Sequence, residues 1–376
     1  MKQTIYKGIN HLSEALEGSK KVLLVCDSSF PFLNIKEDIK GITIPYVVFD
    51  QFTPNPLYED VCKGVDLFNS EQCDTILAIG GGSSLDVAKC IKLYCRMPKD
   101  KLYLEQEYKD TGVKLVAMPT TAGTGSESTR YAVIYYDGKK QSVTHNSIIP
   151  NIAILEPKVL KTLPLYQKKC TMLDAYCQGI ESWWSVNSTD ESKELSKRSV
   201  ETITKWWREY IFDNTDESAE AIMEAANLAG QAICITQTTA AHAFSYKITS
   251  LYKLPHGHAV AVGLPEIWDY MLTQLPAPEG EGLEVGAKII DPRGPEYLSN
   301  TFGQISRAMG VTTGPADAVT EFRLMLDLME IKNPVSENRD ADISLLSSSV
   351  NPIRLKNNPV ELDGYAILEL YKQILK

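Results

Sequence analysis

The sequence predicts an α/β fold, with an open parallel sheet over residues 1–157 and an all-helical domain over residues 158–376. Three observations carry this. Short apolar runs alternate with amphipathic stretches in the first part, long 3.6-residue periodicity replaces them after Leu155-Glu-Pro157, and a glycine-rich turn joins one apolar run to a helical pattern.

The apolar runs Lys21–Cys26, Ile42–Phe49, Thr75–Ile79 and Lys114–Met118 read as buried parallel strands, because strands covered on both faces lose polar alternation. Leu57–Ser70 and Ser83–Arg96 carry helical periodicity between them. Helical patterns then run from about Pro164 to Gln274. Residues 275–300 contain Pro-Ala-Pro-Glu-Gly-Glu-Gly and Asp-Pro-Arg-Gly-Pro, which predict loop. Helices are expected again around Leu298–Met309, Pro315–Met329 and Leu362–Leu375.

Composition narrows the function. Hydrophobic residues make up 44% and charged residues 23% of 376, as in globular domains. A net charge of -10 without clustered Lys and Arg excludes a general nucleic-acid binder, while one local Arg or Lys suffices for a small anion. Eight cysteines show no Cys-x-x-Cys spacing and several sit in apolar runs, which fits reduced thiols. No run approaches the ~18 apolar residues of a membrane span, and Met1-Lys-Gln-Thr-Ile-Tyr-Lys-Gly lacks an apolar signal core. A cytoplasmic protein with no membrane partner is expected.

Ile76-Leu-Ala-Ile-Gly80-Gly81-Gly82-Ser83-Ser84-Leu-Asp86-Val-Ala-Lys89 is a strand entering a helix through three glycines. Backbone N–H groups can there approach a pyrophosphate, Ser83 can cap the helix, and the helix dipole attracts the anion. The same pattern also serves as an ordinary tight turn. A second loop, Met118-Pro-Thr120-Thr121-Ala-Gly123-Thr124-Gly125-Ser126-Glu127, follows another strand and offers short hydroxyl donors. Together they give a Rossmann-like dinucleotide-binding reading. Asp27, at the end of the first strand, either receives ribose hydroxyls and repels a 2′-phosphate, which favours NAD over NADP, or forms a strand-end turn.

Three of the five histidines fall within His242–His258. Asp174 and Gln178, four apart on a helix, share one face. On a straight helix His242 and His256 would stand about 21 Å apart. Lys253-Leu-Pro255 must therefore break the helix and return the chain for both to reach one ion. His258, two positions on, points elsewhere and is placed beside the site.

These segments resemble the iron-containing (group III) alcohol dehydrogenase family. The likeness runs through Thr53-Pro-Asn55-Pro56, Gly80–Asp86, Pro119–Glu127, Glu156-Pro157, Asp174-x-x-x-Gln178, His242, Pro255-His256-Gly257 and Asn351-Pro-x-Arg354. It implies a dehydroquinate synthase-like architecture, with NAD(P) on the α/β domain and one divalent metal on the helical domain, Fe2+ first and Zn2+ second. It implies cofactor contacts at Asn55, Gly81, Gly82, Ser83, Asp86, Thr120, Thr121 and Thr124, with Asp27 at the ribose. The implied metal ligands are Asp174, Gln178, His242 and His256, and self-association is expected.

Two departures stand out. The family has histidine where this chain has Gln178, a weaker and harder ligand. The family's cleft histidine is replaced by Tyr246, which, with His258, becomes a candidate for proton relay or substrate contact. The stretch Asp174–Ser185 resembles the phosphonoacetaldehyde reductase branch. A phosphonate needs a cation, and Arg130 is the first candidate, followed by Lys247, Lys253, Arg354 and Lys356. The alternatives are a general short-chain alcohol dehydrogenase of butanol or glycerol type, synthase chemistry on the same fold, and a nucleotide-binding protein that has lost catalysis.

Overall fold

The computed structural model describes residues 3–276 and 288–376. Part of the expected Pro- and Gly-rich loop, residues 277–287, lies outside the described residues. The chain divides into two compact units. One holds residues up to Pro164 together with Asn214–Gly230, and the other holds Leu165–Asp213 and Gln231–Lys376.

Among the described residues of the first unit, eight strands form: β1 (Thr4–Lys7), β2 (Val22–Cys26), β3 (Tyr46–Phe49), β4 (Thr75–Gly80), β5 (Lys114–Pro119), β6 (Tyr131–Tyr136), β7 (Lys139–Thr144) and β8 (Ile152–Leu155). Six make one parallel sheet in the order β1-β8-β5-β4-β2-β3. The central strands β2 and β4 are buried along their whole length, which is why they read as continuous apolar runs. The edge strand β1 is largely exposed and carries no such run, so the sequence pattern misses it. β3 begins at Tyr46 rather than Ile42. Pro45 has no N–H to donate and gives only its carbonyl, to Val22 N at 3.0 Å.

β6 and β7 form a separate antiparallel hairpin. Asp137 and Gly138 at its tip both have positive φ, 50° and 68°, the backbone demanded by a two-residue primed turn. Helices α1 (Leu12–Ala15), α2 (Lys36–Lys40), α3 (Tyr58–Ser70) and α4 (Gly82–Tyr94) complete the strand-helix alternation. Phe49, Val65, Phe68, Ile76, Leu85 and Ile91 lie in the core that α3 and α4 build with the sheet.

The helical unit is built from α5 (Leu165–Trp184), α6 (Asp190–Arg208), the end of α7 (Asp216–Thr236), α8 (Ala240–Tyr252), α9 (His256–Thr273), α10 (Gly294–Ala308), α11 (Pro315–Leu328), α12 (Arg339–Ser349), α13 (Pro352–Leu355) and α14 (Gly364–Ile374). α5 and α9 pack together at its centre, with α8, α11 and α14 against α9 and α6 against α5. Trp184 meets Trp268 edge-on with ring centroids 5.4 Å apart. α10 starts at Gly294, inside the stretch expected as loop, because Pro295 fits the first helical turn, where no N–H is needed. α12 was not foreseen, since only Ile343 and Leu346 are buried along it and its apolar stripe is thin.

Candidate metal centre and nucleotide loops

In the first unit, β4 ends at Gly80, whose φ of +157° leaves no room for a side chain. A Cβ there would stand 2.2 Å from Ser84 Oγ. Gly81 is the extended N-cap and α4 begins at Gly82. Thr120 N donates to Gly80 O at 3.0 Å, Thr121 lies beside Gly81, and Thr124 lies against Gly82. The two loops singled out in the sequence are therefore neighbours around the start of one helix. Ser83 is half-buried there, and Asn55 is exposed with φ +60°.

Asp27 closes β2. It accepts from Ser29 N at 2.8 Å, Ser29 Oγ at 2.5 Å and Ser84 Oγ at 2.8 Å, tying the strand end to the first turn of α4. Asp86, also expected as a cofactor contact, follows on α4. Its oxygens accept Ser126 Oγ at 2.7 Å and Val133 N at 2.9 Å, so it braces the second loop from within. Lys89, fully buried, does the same through Ser126 Oγ, Thr129 Oγ1 and Tyr131 O at 2.8, 3.0 and 2.8 Å.

The rest of that loop rests on the segment of α7 that belongs to this unit. Gly125 is left-handed at φ +61°, and a Cβ on it would lie 2.3 Å from Gly230 Cα. Asn227 Nδ2 donates to Glu127 Oε1 at 2.9 Å and to Ser128 Oγ at 2.7 Å. Burial raises the Glu127 pKa.

In the helical unit, α8 ends at Tyr252 with Lys253 in the left-handed conformation, and Pro255 caps α9, which opens on His256. The chain reverses between the two histidines, whose ring centroids stand 5.3 Å apart. Ligand atoms of Asp174, His242 and His256 all lie within 4.8 Å of one another. Donors about 2.1 Å from one shared ion sit roughly 3–4 Å apart, so the three need little closure to hold it. The fourth position has its own signature. Gln178 donates to Asp174, while its Oε1 is buried and accepts no hydrogen bond among the described residues. A buried orphan acceptor is costly, and a cation there would satisfy it. Two oxygens and two imidazole nitrogens fit one divalent metal.

Gly257 allows this assembly. A Cβ on it would stand 1.9 Å from Cys170 O and 2.9 Å from Asp174 Cβ, so only glycine brings the first turn of α9 against α5.

Glu181, fully buried, was not singled out in the sequence. Its Oε2 takes the hydrogen of His242 Nδ1. Its Oε1 accepts Thr239 N at 3.1 Å, Ala241 N at 3.0 Å and Thr239 Oγ1 at 2.7 Å, at the N-terminus of α8. The signal was available, since Asp174, Gln178 and Glu181 form an i, i+4, i+7 polar stripe on an otherwise buried helix. Nε2 of His242 lies 3.3 Å from Asp174 Oδ1. Burial opposes a charge on His242, but Glu181 and Asp174 outweigh it and lift its pKa to about 9. Burial also opposes the Asp174 charge, and His242, His256 and Gln178 nevertheless hold its pKa below the usual value.

The other expected residues are placed as follows. Tyr246 lies parallel to the His256 ring, centroids 5.8 Å apart and planes at 9°. His258 is outside the cluster. Its Nδ1 meets Tyr166 OH at 2.7 Å and its Nε2 meets Lys332 O at 2.8 Å, so both ring nitrogens are engaged, and burial lowers its pKa. Arg130 lies in the α/β unit, where Nε donates to Tyr131 OH at 3.1 Å and Nη1 approaches Asn146 Oδ1 at 3.4 Å.

Residues 4–157 match the family model described as iron-containing alcohol dehydrogenase, and residues 169–375 match its C-terminal counterpart. The chain belongs to the iron-containing alcohol dehydrogenase family. Its members are oxidoreductases, and this chain is one by descent. Among iron-containing alcohol dehydrogenase relatives, it is 30% identical to the NAD-dependent methanol dehydrogenase of Bacillus methanolicus over 68% of this chain and 69% of that protein. It is 31% identical to the phosphonoacetaldehyde reductase of Streptomyces viridochromogenes over 78% of this chain and 74% of that one. The iron-containing alcohol dehydrogenase of Thermococcus thioreducens shares its fold, with TM-score 0.85, 21% identity and coverage of 100% and 98% of the two chains. No helix among the described residues is long and apolar enough to cross a membrane.

Proposed function

We propose that this chain is a metal-dependent, NAD(H)-linked reductase of a small aldehyde, with phosphonoacetaldehyde as its substrate and 2-hydroxyethylphosphonate as its product. The observation that carries the metal-dependent reading is the buried set Asp174, His242 and His256 beside the orphaned Gln178 Oε1. A divalent cation supplies Lewis acidity toward a carbonyl oxygen and NADH supplies the hydride.

Asp174, Gln178, His242 and His256 would hold the cation, Fe2+ or Zn2+. Glu181 keeps the proton of His242 on Nδ1 and so turns Nε2 toward the ion. Gly81, Gly82, Ser83, Thr120, Thr121 and Thr124 surround the start of α4 and would receive the pyrophosphate, with Asn55 as a further contact. Asp27 would receive the ribose, and its charge disfavours a 2′-phosphate. Tyr246, whose ring is stacked on His256, would deliver a proton or contact the substrate. The NAD-dependent relative and the phosphonoacetaldehyde reductase relative support cofactor and substrate respectively.

The test is NADH oxidation by protein reconstituted anaerobically with ferrous iron, with phosphonoacetaldehyde beside butanal. Consumption with the phosphonate in clear preference supports the proposal. Preference for butanal moves the chain to general alcohol and aldehyde interconversion, and no oxidation with either aldehyde sinks the reductase reading.

A further inference from the structure

A cavity of about 250 Å3 opens in the α/β unit beside the end of α4, with Lys92, Asp110, His145, Ser147 and Asn151 among its lining residues. Asn151 ties it to the sheet. Its Oδ1 accepts Leu115 N at 2.8 Å and its N donates to Leu115 O at 2.9 Å. The cavity therefore stands at the starts of β5 and β8, whereas Gly80 and Thr120 of the nucleotide loops stand at the ends of β4 and β5.

Lys92 is on the last turn of α4 and only 3% exposed. Its Nζ donates to Asn151 Oδ1 at 3.1 Å. An ammonium has three N–H donors, and the other two meet no partner among the described residues. Asp110, exposed, acts on Lys92 as a charge and forms no ion pair with it. Burial pushes the Lys92 pKa down to about 8, with Asp110 and Cys95 acting the other way. A buried cation with open donors is costly, and neither the nucleotide loops nor the metal cluster uses this one.

His145 adds a further donor. Its Nδ1 accepts Ser147 N at 3.3 Å and stands 2.6 Å from Ser147 Oγ. A neutral imidazole whose Nδ1 accepts carries its proton on Nε2. That N–H also meets no partner among the described residues, while the ring packs edge-on to Tyr108 with centroids 6.4 Å apart. Gln3, another lining residue, is spent on Glu127 O, Pro150 O and Ser128 Oγ.

We propose that this cavity is a binding site for a small oxyanion, held between the Lys92 ammonium and the Nε2–H of His145. Its volume lies below the roughly 300 Å3 at which ligand pockets begin, so it takes a group of few atoms. An oxyanion gives the open N–H groups charge-assisted hydrogen bonds and favours the charge that burial opposes. Inorganic phosphate and a short carboxylate share this chemistry.

Calorimetric titration with inorganic phosphate and with acetate tests the site in the unsubstituted enzyme, K92M and H145F. Chloride holds the ionic strength constant and NADH occupies the nucleotide loops. The unsubstituted enzyme should bind at least one of the two anions saturably, and the tighter one tells a phosphate site from a carboxylate site. Affinity should fall about 10- to 100-fold in K92M, the equivalent of one or two charge-assisted hydrogen bonds, and by a smaller factor in H145F. NADH affinity should hold in both variants. No saturable binding of either anion, unchanged anion affinity in either variant, or a parallel loss of NADH affinity overturns the site. Met is unbranched and adaptable in a buried position, and should K92M still fail to fold, H145F decides alone.

Discussion

Glu181 and His242 are joined through the imidazole Nδ1, while the second oxygen of the same carboxylate closes the N-terminus of the helix on which His242 stands. One buried side chain thus sets both the tautomer of a candidate ligand and the start of its helix. Ordinary hydrogen-bonding partners of metal-bound histidines are worth 10- to 100-fold in metal affinity. Glu181→Gln should weaken Zn2+ or Fe2+ binding by about that factor, measured by chelator competition. An unchanged affinity would remove Glu181 from the metal centre.

Gln178 offers a neutral oxygen where an imidazole would bind a transition metal more tightly. Gln178→His should retain more Fe2+ or Zn2+ after dialysis against a weak chelator, read by elemental analysis. Loss of metal in this variant would mean that position 178 does not face the ion.

Gly257 and Gly303 make a matched pair. Gly257→Ala forces a Cβ into Cys170 O and should destabilise the protein by about 1–3 kcal/mol, with loss of metal retention. Gly303→Ala, mid-helix with only the flexible Arg307 Nη1 at 3.5 Å, should be neutral or stabilise by up to about 1 kcal/mol. Thermal unfolding of both separates the crowded position from the open one.

His242 titrates at about 9 in the metal-free protein, above the ordinary 6.5, because Glu181 and Asp174 overcome its burial. A raised folded pKa contributes stability that is complete below the unfolded value and is lost as pH rises through the folded one. The metal-free protein should therefore lose Tm between pH 6.5 and pH about 9 from this group. Metal binding must displace the proton, so affinity should weaken as pH falls below about 9, with proton release on loading. Calorimetry in buffers of different ionisation enthalpy counts that proton.

Gly230→Ala presses a Cβ to 2.6 Å from Gly125 Cα, beneath the hydroxyl-rich loop. NADH affinity, followed by nicotinamide fluorescence, should fall at least tenfold while metal content holds. Equal loss of both would point to general unfolding.

The central strands and the Gly80–Gly82 turn were legible because burial on both faces and a forced close approach each leave a mark in residue type. The reversal at Lys253–Pro255 was legible from distance alone: two histidines too far apart on a straight helix, with a proline between them. The β6–β7 hairpin had a signal in Asp137-Gly138 between alternating residues, a pattern unlike the continuous apolar runs of buried parallel strands. At Asp86 residue type alone leaves the role open, since an acidic residue after a glycine turn can brace a loop as readily as face a ligand. Asn227 and Gly230 could not be read, because nothing local in α7 announces a partner a hundred residues earlier.

The helix α7 changes allegiance at Gly230, and a stretch of chain bounded on both sides by the helical unit is spent in the other one. The fold is consequently not modular in the genetic sense. A cut at Pro164 would release an α/β fragment without Asn227 and Gly230 beneath its own loop, so exchange of halves between relatives should succeed only when residues 214–230 travel with the N-terminal part.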